Sequence, residues 1–256
     1  MYTPFERDEA FGYRKDSVEN RLREGSPVIG VSVEEGLYLL TVCRGQRKVY
    51  EIYDRQMFSA IGMQGDIEDV RVSVIQMAHQ EGFERSPDDV TLQRLIGFAL
   101  SRRLKQAFGD ILSSSPFVIR ALFTELGRTP AQDSFYALNY DGEFRTSTGV
   151  AAIAGTALAE DKMLERYGEA DVTLSREQVL RRALSAWIAG AHEAFRAGSV
   201  SEEAREAEDI EEAERALLHD ELKTGHIEVG FLERNTQRES RFRLLAPADI
   251  AFLNPT

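Results

Sequence analysis

The chain has 256 residues, 43% hydrophobic and 29% charged, the make-up of a globular protein that buries a full core without metal or disulfide staples. Its 43 acids against 31 bases leave a net charge of −12, which excludes a nucleic-acid binder built on clustered Lys and Arg. A single cysteine, Cys43, excludes an internal disulfide and fits a reducing, cytoplasmic setting.

Residues 4–24 are charged and helix-prone, ending at Gly25, a natural stop. Phe11, Val18 and Leu22 recur at spacings of 7 and 4, one thin apolar stripe that suits packing on the same chain or on a neighbouring subunit. From Pro27 the pattern turns to strands. PVIGVSV and LYLLTVC, joined by Glu34-Glu35-Gly36, predict a hairpin, and KVYEIYD with QMFSAIGM predicts a second pair. Several of these runs have almost no polar face, which predicts a sheet covered on both sides.

Ile67, Val70, Val74, Met77 and Ala78 then share one helical face, with His79 beside it. Ser86-Pro87-Asp88-Asp89 predicts the capped start of a second helix carrying Leu92, Leu95, Ile96, Leu100 and Leu104 and stopping at Gly109. Strands return in PFVIRALFTEL and SFYALNYDGEF, the latter with an Asp141-Gly142 turn, and in GVAAIAG. Helices are expected over 156–167 and 175–195, the second opened by a capping box between Ser175 and Gln178. HIEVGFLE, RFRLLA and a short PADIAFL helix close the chain.

Strands in two blocks, each followed by two apolar-faced helices, predict an α+β protein of one domain. Two stacked sheets between two helical layers, a four-layer αββα sandwich with an extra N-terminal helix, would bury both faces of every strand. Residues 199–223 stand apart with 10 acids and 3 bases, which predicts a solvated acidic helix laced by pairs such as Glu211 and Arg215.

His79, His192, His219 and His226 are scattered, so spacing reveals no metal cluster, and no cofactor loop or nucleophile elbow is written in the chain. The uncharged run over 146–159 is too short and polar to cross a bilayer, and MYTPFERDEAF lacks the features of a signal peptide. Local motifs name no reaction.

A longer pattern does carry a resemblance. KVYEIYDRQMFSAIGMQGDIEDVRVSVIQMAHQEGF has a lysine, an apolar strand, a Y-D-R turn, a small-residue strand ending in Gly, and a helix. It resembles the subunits of the proteasome core particle, above all the α-type subunits of bacterial, actinobacterial-style proteasomes. The similarity holds in order over residues 8–187, from DEAFGYRKDSVENRLREGSPVIGV through GVAAIAGTALAEDKMLERY, and becomes an outline beyond.

The resemblance implies the N-terminal-nucleophile hydrolase fold, which is the same αββα sandwich. It implies a heptameric ring stacked on β-type subunits, with the first helix (Phe11, Val18, Leu22) packed between neighbours. It further implies that α-type subunits do no chemistry but gate the passage of substrate and dock an ATPase or other activator. The implied gate is the N-terminal tail, Met1, Tyr2, Thr3, Pro4 and Phe5.

In the same family Lys48 matches a pocket lysine that receives the carboxylate of an activator's C-terminal tail. Gly25 matches the pocket glycine and Met63 the apolar wall. Each also has a plain structural role open to it: an edge-strand lysine, a helix stop and a core residue. A β-type nucleophile would fall on Ser26, after cleavage at Gly25. Pro27 restricts that backbone, the acidic position is Val42, and the residues ahead of Ser26 are expected to stay attached. A hydrolase using Ser26 and a stand-alone ring-forming scaffold are the alternatives to the α-subunit role.

Overall fold

The computed structural model describes residues 4–111, 115–199, 209–238 and 240–254. Helix α1 (Pro4–Leu22) leads into strands β1 (Val28–Val33), β2 (Gly36–Cys43), β3 (Tyr50–Tyr53) and β4 (Gln56–Gly62). Helices α2 (Gln64–Glu84) and α3 (Ser101–Gly109) follow, then β5 (Ile119–Glu125), β6 (Ser134–Asn139), β7 (Phe144–Ser147) and β8 (Val150–Ile153). Helices α4 (Ala157–Tyr167), α5 (Arg176–Ser199) and α6 (Ile210–Thr224) precede β9 (His226–Glu233) and β10 (Phe242–Leu244).

The ten strands form two antiparallel five-stranded sheets, ordered β10-β9-β2-β1-β8 and β3-β4-β5-β6-β7. Alternation along each strand divides its side chains between two apolar layers, because successive residues face opposite ways. On β2, Tyr38, Leu40 and Val42 pack toward Trp187, Leu180 and Ala183 of α5 and Met163 of α4. Leu37 and Leu39 of the same strand face the second sheet, where Met57, Ile61, Leu122 and Phe135 meet them. The far side of that sheet, through Phe58, Phe123 and Leu138, is covered by Val70, Val74 and Ala78 of α2 and by Leu104 of α3. The expected four-layer αββα sandwich is therefore what the chain forms.

At the far end of β1 from Ser26, a buried ion pair joins the two sheets. Arg234 donates to both carboxylate oxygens of Asp133, at 2.7 and 2.8 Å, and Ser32 adds a bond of 2.6 Å.

Three expectations need correction. Val18 and Leu22 are buried in the chain's own inter-sheet core and Phe11 lies against Phe108, so the stripe on α1 is taken up within the subunit. Val18 and Leu22 have no face to offer a neighbour. Second, Ser86 does not start the long helix; it caps a single 3-10 turn over Pro87–Asp89. Buried Val90 and Leu92 then hold the backbone against the sheet, with Gln56 donating to the Val90 carbonyl and Glu125 accepting the Leu92 N–H. The helix resumes as a wide π-type stretch over Gln93–Leu100 that runs into α3. Third, α5 extends to Ser199, and α6 starts at Ile210 with Asp209 as its cap.

The acidic helix is also less solvated than its charge suggests. The Glu211–Arg215 pair forms as expected, but Glu214 is buried against Arg166 of α4, and Leu218 enters the core. Residues 200–208 lie outside the described residues. So do Met1, Tyr2 and Thr3, while Pro4 and Phe5 already belong to α1, which shortens the expected tail.

Candidate functional site

At the end of the sandwich near Ser26, a cavity of about 310 Å³ is lined by Gly25, Ser26, Arg44, Lys48, Ile61 and Ile67 among others. A neighbouring cavity of about 430 Å³, walled by Trp187, Phe195 and Leu217, shares Glu24, Gly25, Ser26, Arg44 and Glu221 with it. Arg44, just past β2, pairs with Glu221 of α6 where the two cavities meet.

Lys48 lies in the loop between β2 and β3. Although β3 is an edge strand, the lysine does not guard that edge: its ammonium donates to the Ser26 carbonyl at 2.7 Å and to the Thr41 hydroxyl at 3.1 Å. Burial of the ammonium lowers its pKa to about 8, against the opposing pull of Cys43, Glu228 and Glu221. Two of its three donors are thus spent inside the fold, and the side chain is among those that line the cavity. Lys48 is half-buried and lies ahead of β3, which begins at Tyr50.

Gly25 is required by close approach. A β-carbon there would stand 2.8 Å from Cβ of Ile61 and 3.0 Å from the Leu22 carbonyl. Gly62, at φ +132°, is fixed twice over, because a β-carbon would meet the Val118 carbonyl oxygen at 2.0 Å. The apolar wall beside Gly25 and Lys48 is made by Ala60, Ile61 and Ile67. Met63 does not line this cavity: it is 48% exposed, at the start of α2 beside Arg21.

The Ser26 hydroxyl donates to the Val42 carbonyl at 2.7 Å. Val42, at the position of the family's acid, turns its side chain to the helical layer and away from Lys48. The polar groups that do surround Lys48 come from its neighbours on the inward face. Thr41 holds the ammonium, and the Glu228 carboxylate accepts the N–H groups of Lys48 and Val49 at 2.9 and 2.6 Å.

Pairing of β2 with β9 sets Thr41 opposite Glu228 and Cys43 opposite His226. Burial, and after it the Glu228 carboxylate, pushes the Cys43 thiol up to about 12, with Lys48 acting the other way. Sequence reading missed Thr41, Cys43, His226 and Glu228 as a group. The one local signal is the charge of Glu228 in the midst of β9, between Ile227 and Val229.

Two stacked antiparallel sheets between helical layers, with a lysine and a serine meeting at the strand ends between them, define a subunit of the N-terminal-nucleophile hydrolase fold. No protein-family model matches the chain. Proteasome subunit alpha of Kineococcus radiotolerans is 26% identical over 253 residues, which is 96% of each chain. Its counterpart in Jonesia denitrificans is 30% identical over 164 residues, 63% of this chain and 68% of the relative. That of Nocardioides sp. is 30% identical over 162 residues, 61% of this chain and 62% of the relative. The chain belongs to the proteasome α-subunit family.

Proposed function

We propose that the chain is a non-catalytic α-type subunit of a bacterial proteasome core particle. In this role it forms a ring with copies of itself, heptameric by the family pattern, and stacks on β-type subunits. It controls the passage of substrate through the ring and receives the C-terminal tail of an ATPase activator in the Lys48 cavity.

The observation that carries this reading is what Lys48 and Ser26 do. A nucleophilic serine needs a base, and here the lysine is engaged with the backbone carbonyl of Ser26 while the hydroxyl is spent on Val42. Gly25 packs against the end of α1, its N–H bonded to the Leu22 carbonyl at 2.9 Å. The lysine, not serving as a base, keeps its third donor for a different task. A tail carboxylate would accept its third N–H, a charge-assisted bond stronger than a neutral one, with Gly25 admitting the tail backbone.

Co-expression with a β-type subunit from the same organism, followed by native mass spectrometry and peptide hydrolysis, tests the reading. A mixed ring assembly whose activity depends on the β-type chain is expected. Hydrolysis by this chain alone, from a form beginning at Ser26, would establish the hydrolase instead. A homomeric ring that never takes up a β-type subunit would establish the scaffold.

A further inference from the structure

We propose that Cys43, His226 and Glu228 form a binding site for a transition-metal dication of the zinc class. Cys43 is the last residue of β2 and His226 the first of β9, paired directly across the ladder, and Glu228 follows two residues on along β9. One sulfur, one imidazole nitrogen and one carboxylate oxygen all lie within 4.8 Å of one another. Ligands about 2.0–2.3 Å from a tetrahedral ion stand roughly 3.3–3.8 Å apart, so rotation of side chains by about an ångström closes the set.

The donor types select the ion. Thiolate with imidazole and a single carboxylate suits zinc or cobalt(II), and it suits magnesium or calcium, which prefer all-oxygen shells, poorly. The site is also oriented from outside, as metal sites commonly are. One oxygen of Glu228 accepts the backbone N–H groups of Lys48 and Val49, which fixes the carboxylate and leaves its other oxygen for an ion. Cys43 and Glu228 are buried while His226 is exposed, so the ion enters from the His226 side and its fourth position faces water. As the metal–sulfur bond forms, the thiol proton passes to solvent and the sulfur enters as thiolate. The Lys48 ammonium opposes a dication here, and Glu221, the nearby acid that favours it, is already paired with Arg44, so a moderate affinity is expected.

This site does not depend on the proteasome role, and its test needs no partner. The full chain, stripped with a chelator, is titrated with cobalt(II) and followed by absorption. Saturable binding is expected, with a sulfur-to-cobalt charge-transfer band in the near ultraviolet and intense visible bands of tetrahedral cobalt, all displaced by zinc. Cys43→Ser should abolish the charge-transfer band. Because Cys43 is buried, a second variant guards the result: His226→Ala changes an exposed residue and should weaken cobalt binding about 10-fold or more. Absence of saturable binding, or binding unchanged in both variants, would overturn the proposal.

Discussion

The Lys48 ammonium donates to the backbone carbonyl of Ser26 at 2.7 Å, while the Ser26 hydroxyl donates elsewhere, to the carbonyl of Val42 at the same distance. Lysine and serine are adjacent without forming a base–nucleophile pair. Their contact instead ties the loop ahead of β3 to the chain entering β1.

Replacing Ser26 by Ala therefore removes the hydroxyl's 2.7 Å bond to Val42 and its longer 3.5 Å contact with Thr41, and leaves the Lys48 contact to the backbone in place. The expected cost is about 1 kcal/mol of stability. Peptide turnover by a co-assembled particle should be unchanged, as measured by steady-state hydrolysis with matched particle concentrations. Loss of turnover in Ser26→Ala would reassign the serine to catalysis.

Leu22 is fully buried between α1 and the sheets, so Leu22→Ala should destabilise the chain by about 2–5 kcal/mol. Denaturant unfolding of the dissociated chain should show the full loss. If the dissociated variant unfolds like the parent while ring assembly weakens, α1 is held by neighbours and not by its own core.

The Asp133–Arg234 pair is buried on both sides, with Asp133 1% exposed and Arg234 8%. Truncating one partner strands a charge in the interior, which typically costs about 3–5 kcal/mol. Asp133→Ala should accordingly lower the unfolding midpoint far more than Glu211→Ala, whose partner Arg215 is solvent-exposed. Equal effects in thermal unfolding would contradict the burial argument.

Glu125 gives a pH signature. Burial holds its carboxyl above the ordinary carboxylate range, with the Leu92 N–H and Arg55 acting against the shift. The folded chain thus holds this proton more tightly than the unfolded one. Stability from the protonated form is present at low pH and falls as pH rises from the unfolded value through the folded one. Glu125→Gln keeps an acceptor for Leu92 and removes that dependence. The melting temperature of the parent relative to this variant should decline as pH rises across the window. A constant difference from pH 4 to 7 would refute the assignment.

The layers were legible in the sequence because alternation on strands and 3.6-residue spacing on helices are local signals. PVIGVSV and LYLLTVC announce buried strands, and Ser175 with Gln178 announces a helix start that forms as expected, with reciprocal bonds of 3.0 and 3.4 Å. The start of the helix after Ser86 was not legible, because burial of Val90 and Leu92 outweighs a good local cap. Gly25 and Lys48 are singled out only by resemblance to a family. Glu228 is not so marked, since it reaches Lys48 across 180 residues of chain through the pairing of β2 with β9. The same pairing brings His226 to Cys43, which no spacing along the chain foretells. The family pattern gives Met63 a place on a wall, and within the subunit it stands exposed at the start of α2, outside the Lys48 cavity.

The central claim is that Lys48 holds an activator's tail carboxylate, and affinity measured on the assembled particle tests it most directly. A single ammonium–carboxylate bond at a partly buried seam contributes about 1.5–3 kcal/mol. Lys48→Ala should therefore weaken activator binding roughly tenfold to hundredfold per tail, and more when several tails engage together. Lys48→Arg should restore part of it, because a planar fork replaces a compact ammonium poorly. Rising salt should weaken the parent contact. Binding of an activator lacking its last residues should be no weaker to Lys48→Ala than to the parent particle. That pattern is the predicted result; full-length activator binding to an intact Lys48→Ala particle with the parent's affinity would contradict the account.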